Sequence, residues 1–545
     1  MSGAATLVEA AEIEKSYLTD KFGLASWLLT TDHKRIAVLY LLSTTTFFFV
    51  GGIAAGLMRL NLVVPQGLLN DPETYNRLFT MHGVIMVWFF LVPVVPTVIG
   101  NFILPLMIGA RDLAFPKINL MSWYLFNVGG LFALYGLFVG GVDTGWTFYT
   151  PLSTSFARGH VELVLAGIIF AGFSSIATGL NFIITIHRLR APGMNWHKMP
   201  IFCWSLYATS VLNVLATPVL AINLLLLGVE RFFGVGIFDP AIHGDPVLFQ
   251  HLFWFYSHPA VYIMILPGFG VVSEIIPCFS RKRIFGYEFI AWASISIAAI
   301  SFFVWGHHMF VAGESVYSAL VFSILSFAVA VPSAIKVFNW VATLHKGFIY
   351  FEAPMLYALG FVGLFTIGGL SGLWVAALGA DVHLHDTYFV IAHFHYIMVG
   401  GMVTAFFGGL HFWWPKITGR LYPESWGRLA AITIFLGFNL TFAPQFYLGW
   451  LGMPRRYHHY SPEFQVLNVL SSAGAAILAA GYLLPLLYLG WSLFHGKRAG
   501  SNPWGATGLE WRTPSPPPAK NFAVTPTVTE RPYSYPPPDA VQGHV

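Results

Sequence analysis

Six histidines stand within or at the ends of long apolar stretches of this sequence, where an ionisable side chain is costly and marks a functional position. Each could singly be a hydrogen-bonded structural histidine. Imidazole is, however, the expected ligand of haem iron and of copper. The residue type therefore predicts bound redox metals at these positions: His82, His258, His307, His308, His393 and His395.

The spacing of two of these histidines separates their roles. Residues two apart on an α-helix point about 200° apart, so His393 and His395 cannot bind one metal from the same face. They suit two separate haems flanking one helix. A low-spin haem needs two axial ligands, for which His82 is the remaining histidine from another helix, whereas a haem that binds O₂ needs one protein ligand and an open site.

The other three histidines, His258, His307 and His308, leave a site for a second metal with one coordination position free for substrate, and copper fits that description best. Tyr262 follows His258 by four residues and so lies on the same helical face. A phenol beside the metal could supply the electron and the proton that O–O cleavage needs beyond what two metals easily supply. The alternative is a core tyrosine bonded to a backbone group.

These residues must be positioned in lipid, because 56% of the 545 residues are hydrophobic and only 10% are charged. Twelve apolar stretches are long enough to cross about 30 Å of hydrocarbon. Only helices satisfy their own backbone at this length, so the predicted fold is an all-α integral membrane bundle of twelve transmembrane helices. The stretches cover residues 36–58, 80–108, 121–141, 161–187, 201–228, 249–278, 288–313, 317–340, 350–378, 388–412, 428–450 and 468–494.

Lysine and arginine are unevenly divided between alternate loops, which predicts the orientation of the bundle. The richer loops should be cytoplasmic, so both termini are expected inside, and the six histidines then share one depth in the outer half. Three regions follow: a cytoplasmic N-terminal segment 1–35, a helical core 36–496 and a Pro-rich cytoplasmic tail 497–545, either disordered or draped over a partner. No removable signal peptide is expected. The richer loops hold Lys34, Arg35, Arg111, Lys117, Arg188, Arg190, Lys198, Arg281, Lys282 and Arg283.

Three motifs make the chain recognisable. They are His-Pro-Ala-Val-Tyr at 258–262, Trp-Gly-His-His-Met-Phe at 305–310 and His-Asp-Thr-Tyr-Phe-Val-Ile-Ala-His-Phe-His-Tyr at 385–396. They resemble subunit I of the haem-copper oxygen reductases, specifically the cytochrome c oxidases. The resemblance covers nearly the whole chain, from Thr-Asp-His-Lys at 31–34 to Glu-Trp at 510–511.

This resemblance implies a respiratory terminal oxidase that reduces O₂ to water with four electrons from cytochrome c. Reduction would occur at a high-spin haem and the copper called CuB, coupled to proton uptake and to proton pumping. It also implies that Tyr262 is cross-linked to His258. The implied ligands are His82 and His395 for low-spin haem a, His393 for high-spin haem a₃, and His258, His307 and His308 for CuB.

Further site residues follow from the same resemblance. His385 and Asp386 look like the family's magnesium ligands, and an oxygen-rich site suits that hard cation. Four other residues resemble the family's contacts to the haem formyl group, the haem propionates and the cofactors in general: Arg59, Arg455, Arg456 and Trp254.

Two polar routes through the inner half could bring protons to the metals. Lys336 is a costly intramembrane cation, and Ser326 and Ser333 belong roughly to its helical face. They resemble the family's K channel, which Ser273 and Tyr262 would continue.

The second route resembles the family's D channel, but it departs from the common pattern at its end. Many relatives carry a glutamate at the position of Ala260, which cannot pass on protons. Tyr256 lies four residues earlier on the same helical face, and the pair Tyr256-Ser257 resembles a variant branch that uses these two residues instead. The mouth of this route is predicted at Asp112, Asn101 and Asn119.

Alternatives inside and outside this family remain. In a quinol oxidase, helix 2 often carries His and Gln where this chain has Thr74 and Arg77, which favours cytochrome c as donor. A nitric oxide reductase lacks the equivalents of Tyr262 and Lys336. A twelve-helix secondary transporter fits the helix count but not six histidines at one depth, and a dihaem electron-transfer cytochrome leaves three histidines unused.

The resemblance also predicts partners and location. Expected partners are oxidase subunit II with the donor-side copper site, subunit III, and cytochrome c or a fused or associated cytochrome c domain. The net charge of +4 reflects the loop bias and needs no nucleic-acid partner. The long Pro-rich tail and the Tyr256-Ser257 variant favour a bacterial plasma membrane, with the mitochondrial inner membrane as the alternative.

Overall fold

The computed structural model describes residues 15–69 and 71–535, and this part of the chain is helical with no named strand. Within these described residues, eleven helices are long and apolar enough to cross a membrane. The predicted seventh stretch, 288–313, differs: it forms a shorter helix of 15 residues followed by the 3-10 turn Trp305–Met309. In chain order the helices are α1 (His33–Asn61), α2 (Pro72–Met107), α3 (Pro116–Gly140), α4 (Val161–Arg188), α5 (Ile201–Phe233), α6 (Pro246–Ser280), α7 (Tyr287–Ser301), α8 (Val316–Leu344), α9 (Ala353–Ala376), α10 (Tyr388–Thr418), α11 (Glu424–Trp450) and α12 (Pro462–His495).

Side-chain caps fix the start of the three long helices that carry predicted metal ligands. The Asp71 carboxylate accepts from two backbone amides at the start of α2, and Asp245 does the same for α6. The Thr387 side chain accepts from the amide of Phe389 at the start of α10. Each cap contributes about 1 kcal/mol. The caps also set the register at which the histidines of these helices enter the bundle.

Helices α2 and α6 lie at the centre of the bundle. About nine tenths of the most apolar segment of each helix is buried inside the protein. Both depart from regular geometry: α2 contains the π-helical stretches Val87–Leu91 and Val95–Gly100, and α6 contains three prolines. Helix α10 also has a π-helical stretch, Met398–Val403, directly after its histidines. Such stretches are frequent at functional sites, because they turn side chains away from the ordinary helical register.

Residues 497–535 of the tail pack against the bundle, so they are not disordered, whereas their contact with a partner stays a prediction. Leu509, Trp511 and Tyr533 are buried. The buried Lys416 ammonium at the end of α10 donates to the backbone carbonyls of Ser501 at 2.9 Å and Thr513 at 2.6 Å. We call this end of the bundle the tail side and the opposite end the histidine side. Residues 1–14 and 536–545 of the predicted terminal segments lie outside the described residues.

Candidate metal centres and proton routes

Three imidazoles from α6 and the following 3-10 turn form one cluster. His258 Nδ1 lies 3.2 Å from His308 Nε2, which lies 3.1 Å from His307 Nε2. Among the described residues, this is the group of three donors whose ligand atoms lie within 4.8 Å of one another. Nitrogens about 2.0 Å from one tetrahedral ion lie about 3.3 Å apart. The cluster therefore fits a single copper ion.

The surrounding side chains hold two of these rings in place. His307 Nδ1 hydrogen bonds to Ser326 Oγ at 2.7 Å. The Trp254 ring stacks on His308 with centroids 3.9 Å apart, and its Nε1 donates to the Tyr149 hydroxyl at 2.6 Å. Such outer contacts fix the ring orientation and leave one nitrogen facing the cluster. Ser326, predicted from its spacing to line the Lys336 route, therefore contacts a cluster histidine.

Tyr262 lies beside the cluster, as its four-residue spacing from His258 predicts. The two ring centroids are 4.8 Å apart. His258 Nε2, the ring nitrogen outside the cluster, is buried and has no hydrogen-bond partner among the described residues. A buried nitrogen without a partner is unusual in a native protein. It lies on the ring that packs against the phenol.

A second pair of histidines faces each other across a gap. The rings of His82 on α2 and His395 on α10 are parallel within 5°, with centroids 6.4 Å apart. His82 Nδ1 bonds to the carbonyl of Gly51 at 2.9 Å, and His395 Nδ1 bonds to that of Ile391 at 2.8 Å. Each ring therefore has its Nε2 free as a ligand. This pair fits the two axial positions of one low-spin haem.

His393 points away from this pair. Its Nδ1 bonds to the carbonyl of Gly368 and to Ser371 Oγ on α9, both at 3.1 Å. His395, in contrast, stacks against Phe442 of α11 with centroids 4.3 Å apart. The two histidines thus lie on different faces of α10, as their spacing predicts. With one nitrogen bonded and the other free, His393 fits a haem that takes a single protein ligand.

Cationic residues surround the histidine side. Arg59 donates to the carbonyl of Asn468 at 2.7 Å and to Ser472 at 3.0 Å, while its Nε and Nη1 have no partner among the described residues. Arg456 lies over the Phe79 ring. Burial, aided by the neighbouring Arg455, lowers the pKa of Arg456 to about 10. These guanidinium groups have donors available for the anionic edge of a haem.

The two predicted magnesium ligands, His385 and Asp386, both form side-chain contacts with other residues of this chain. His385 Nδ1 bonds to Asp381 at 2.9 Å, and Arg455 Nε donates to Asp386 at 2.7 Å. Although burial opposes the change, the Arg455 charge lowers the pKa of the Asp386 carboxyl. The free His385 nitrogen and the Asp386 carboxylate supply two donors, so a six-coordinate cation would need further ligands.

Lys336 is buried near the middle of α8, as predicted, but its partners lie on α7. Its ammonium donates to Ser294 Oγ at 2.7 Å and to the carbonyl of Ile290 at 3.0 Å. Ser333 bonds to a carbonyl of its own helix. Ser273 accepts from the Trp340 indole at 2.9 Å. Ser294 is thus a contact of Lys336 that the sequence reasoning missed.

The predicted mouth residues of the second route lie at the tail side. The side-chain amides of Asn101 and Asn119 bond to each other reciprocally at 3.1 and 3.0 Å. Asp112 is in the loop between these helices, where burial raises the pKa of its carboxyl to about 7. Beyond them, the Tyr40 hydroxyl bonds to Ser122 at 2.9 Å and Ser174 at 3.0 Å. That three-helix contact was not predicted.

The tail adds a side chain to this mouth. Asn521 Nδ2 donates to the carbonyl of Ala110 and lies 2.9 Å from His33 Nε2, and its Oδ1 accepts from the Lys34 ammonium at 2.7 Å. His33 in turn bonds to the carbonyl of Asn101 at 2.7 Å. These contacts join α1, α2 and the tail in one buried polar cluster. Sequence patterns give no signal for them, because the partners are almost 500 residues apart.

The variant pair Tyr256-Ser257 lies on α6 directly before His258. The buried Tyr256 ring stacks on Trp88 of α2, with centroids 5.6 Å apart. Ser257 Oγ is buried without a hydrogen-bond partner among the described residues. Tyr256 and Ser257 therefore supply hydroxyl groups in the part of α6 where Ala260 has no polar side chain.

Comparison with known proteins gives the family. Residues 35–477 match the family described as "Cytochrome C and Quinol oxidase polypeptide I". Cytochrome c oxidase subunit 1 of Synechocystis is 46% identical over 504 residues, which cover 92% of this chain and 91% of the relative. The subunit of the same name from Bacillus subtilis is 41% identical over 511 residues, covering 93% and 82%.

A solved structure has the same fold. It is a heme-copper terminal oxidase dimer determined by cryo-EM, with a TM-score of 0.75 and 22% sequence identity, covering 86% of this chain and 85% of that one. Members of the matched family bind haem and copper, associate with other oxidase subunits and are integral to the membrane. The chain therefore belongs to the family of cytochrome c and quinol oxidase polypeptides I, as a catalytic subunit in the cytochrome c oxidase class of haem-copper terminal oxidases.

Proposed function

We propose that this subunit reduces O₂ to water between a high-spin haem bound by His393 and a copper ion bound by His258, His307 and His308. The observation that carries the proposal is the three-histidine cluster, with nitrogens 3.1 and 3.2 Å apart and a phenol on its edge. When bound, the haem and the copper supply the open coordination site and electrons for O₂ reduction.

His82 and His395 would hold a low-spin haem, which when bound would supply electron transfer to this centre. The parallel rings, each with one nitrogen bonded to a backbone carbonyl, support this role. Arg59 and Arg456 provide cationic donors for the haem substituents. The ligand residues are the same for haems a, b and o, and the family resemblance favours haem a for the low-spin group and haem a₃ for the other.

Cytochrome c is the proposed donor, delivered through a copper-containing subunit II at the histidine side. The contacts of Thr74 and Arg77 support this choice over quinol. Thr74 hydrogen bonds to Asp71 as part of the helix cap, and Arg77 pairs with Glu73. Both side chains thus form contacts that stabilise the start of α2. His385 and Asp386 lie on the same side and would bind magnesium together with donors from such a partner.

Tyr262 acts as the proton source at the copper site. Its phenol lies against His258, whose Nε2 has no other partner, and this juxtaposition is what a covalent His258–Tyr262 link requires. Lys336, bonded to Ser294, supplies protons toward the phenol from the tail side. The second route runs from Asp112 through the asparagine pair to Tyr256 and Ser257, which take the place of the missing glutamate in proton pumping.

The tail side faces the cytoplasm in this proposal, and the membrane is the bacterial plasma membrane. The lysine and arginine bias of the loops supports this orientation. Protons would then be taken up from the cytoplasm while electrons enter from the opposite side. Subunit III is the third expected member of the complex.

Metal and haem analysis of the purified complex tests the proposal, together with reduced-minus-oxidised spectra with and without carbon monoxide. We expect two haems, of which one binds carbon monoxide. His308→Asn should remove one copper ion for each complex and abolish O₂ consumption while the low-spin haem remains. His383→Asn, which changes an exposed histidine on the same side, is the control. Unchanged copper in His308→Asn would contradict the assignment.

A further inference from the structure

A row of polar side chains runs along one face of α5. Ser205, Thr209, Asn213 and Thr217 follow one another at intervals of four residues, which places them on the same side of the helix. All four are at most 4% exposed. The row spans about 18 Å along the helix axis. We call it the α5 stripe.

The α5 stripe faces α4 and α6, not lipid. A Cβ placed on Gly270 of α6 would lie 3.0 Å from the Ser205 Cβ. On α4, the Cβ positions of Gly179 and Gly172 would lie 3.3 Å from Asn213 and 3.1 Å from Thr217. Gly270, Gly179 and Gly172 thus allow α4 and α6 to pack closely against the stripe.

The stripe oxygens have no hydrogen-bond partner within the described part of the chain: Ser205 Oγ, Thr209 Oγ1, Asn213 Oδ1 and Thr217 Oγ1. A buried polar atom without a partner is costly, and one in a native protein calls for a ligand. Ser210 on the same helix shows the alternative, because its hydroxyl donates to the carbonyl of Leu206 at 2.7 Å. Buried water molecules satisfy such groups, each bonding to two to four of them.

Each end of the stripe meets a group that can exchange a proton. At the tail side, Glu274 of α6 accepts from the Phe202 amide at 3.0 Å and from the Tyr533 hydroxyl of the tail at 2.5 Å. Glu274 lies one turn beyond Gly270, the glycine against which Ser205 packs. At the other end, Thr217 faces the Tyr256 phenol without forming a hydrogen bond of standard geometry.

We propose that the α5 stripe binds a file of water molecules that conducts protons from Glu274 to Tyr256, separately from the routes that begin at Asp112 and Lys336. The proposal rests on the function proposed above, because it supplies protons to the same centre. Successive stripe groups are about 6 Å apart, a gap that one or two water molecules bridge. For each proton accepted beside Glu274, one leaves at Tyr256, and the phenol is neutral before and after.

Two substitutions in the complete, membrane-reconstituted complex test this path. Thr217→Val keeps the side-chain shape and removes the hydroxyl, and Asn213→Leu replaces the amide with an apolar group. Both should lower the number of protons taken up or pumped for each electron by at least twofold, with unchanged haem spectra. Both should also remove infrared bands of weakly bonded water. Thr217→Ser should retain both properties, and so should Ser210→Ala, the matched control.

The path is refuted if Thr217→Val and Asn213→Leu match the wild type in proton yield and in the infrared water bands. It is also refuted if Ser210→Ala loses protons to the same extent, because the effect would then be structural. Thr217→Val provides the decisive result if Asn213→Leu fails to assemble. Failure of the proposed function is a separate outcome: the wild-type complex itself would then consume no O₂.

Discussion

Asp112→Asn gives the most direct test of the mouth at the tail side. Burial raises the pKa of the Asp112 carboxyl from 3.8 to about 7, with Asp32 adding to the rise and Lys34 opposing it. The group is therefore expected to be protonated below about pH 6 and ionised above about pH 8. Its infrared C=O stretch should disappear with a midpoint at about pH 7 and should be absent from Asp112→Asn.

The same raised pKa has a cost in stability. Because the folded state disfavours the ionised carboxyl, the penalty is absent below about pH 4, grows as the pH rises and is complete above about pH 7. At 1.36 kcal/mol for each pH unit it reaches at most about 4 kcal/mol. Asp112→Asn should therefore resist thermal unfolding better than the wild type at pH 8, with an advantage that shrinks toward pH 5. It should also lower the number of protons pumped for each electron in vesicles.

Asp71→Asn is the matched control for this experiment. Asp71 is exposed, hydrogen bonds from Thr74 and Glu73 lower its pKa, and asparagine is an equally good helix cap. The substitution should leave the carboxyl band near pH 7, the pH dependence of stability and the proton yield unchanged. A carboxyl midpoint near pH 4 in the wild type, or full pumping in Asp112→Asn, would refute the reasoning.

Three further substitutions have definite expected outcomes. Lys336→Met should lower the rate of O₂ consumption by about 100-fold, since a positioned proton donor contributes about that much. Ser294→Ala should have a smaller effect, because the carbonyl of Ile290 still binds the ammonium. Equal effects of the two substitutions would contradict this. His395→Asn should remove the low-spin haem spectrum and leave carbon monoxide binding to the other haem, and loss of both spectra would contradict the separate roles. Lys416→Met should lower the stability to thermal unfolding by about 3 kcal/mol, because several tail carbonyls lose a charged donor, whereas the exposed Lys520→Met should have no effect.

Residue types and spacing were sufficient where one helix decides the geometry. The divergence of His393 and His395 follows from helical periodicity, and the Tyr262 contact follows from its distance along α6. Contacts between helices were harder to predict from the sequence. The contact of Ser294 with Lys336 and that of Ser326 with His307 were missed, because both depend on how α7 and the 3-10 turn pack against α8.

Two features of the fold were also beyond the sequence reasoning. Hydropathy identified the stretch 288–313 as one span, whereas the chain leaves the helix after Ser301 and turns so that both His307 and His308 can face the cluster. Proline content suggested an unpacked tail, but Trp511 and Tyr533 anchor it in the bundle. In both cases a few specific contacts outweigh the average composition of the segment.

The contribution of Asn521 to the mouth has a consequence for how the protein is made. Ribosomes synthesise His33 and Lys34 early, and Asn521 follows only 488 and 487 residues later. Until the tail folds back, the two early residues lack the side chain that joins them to the loop carbonyl of Ala110. The helices that precede the tail can therefore enter the membrane before this polar cluster takes its final form. The cluster of Asn521, His33 and Lys34 is thus completed only after nearly the whole chain has been synthesised.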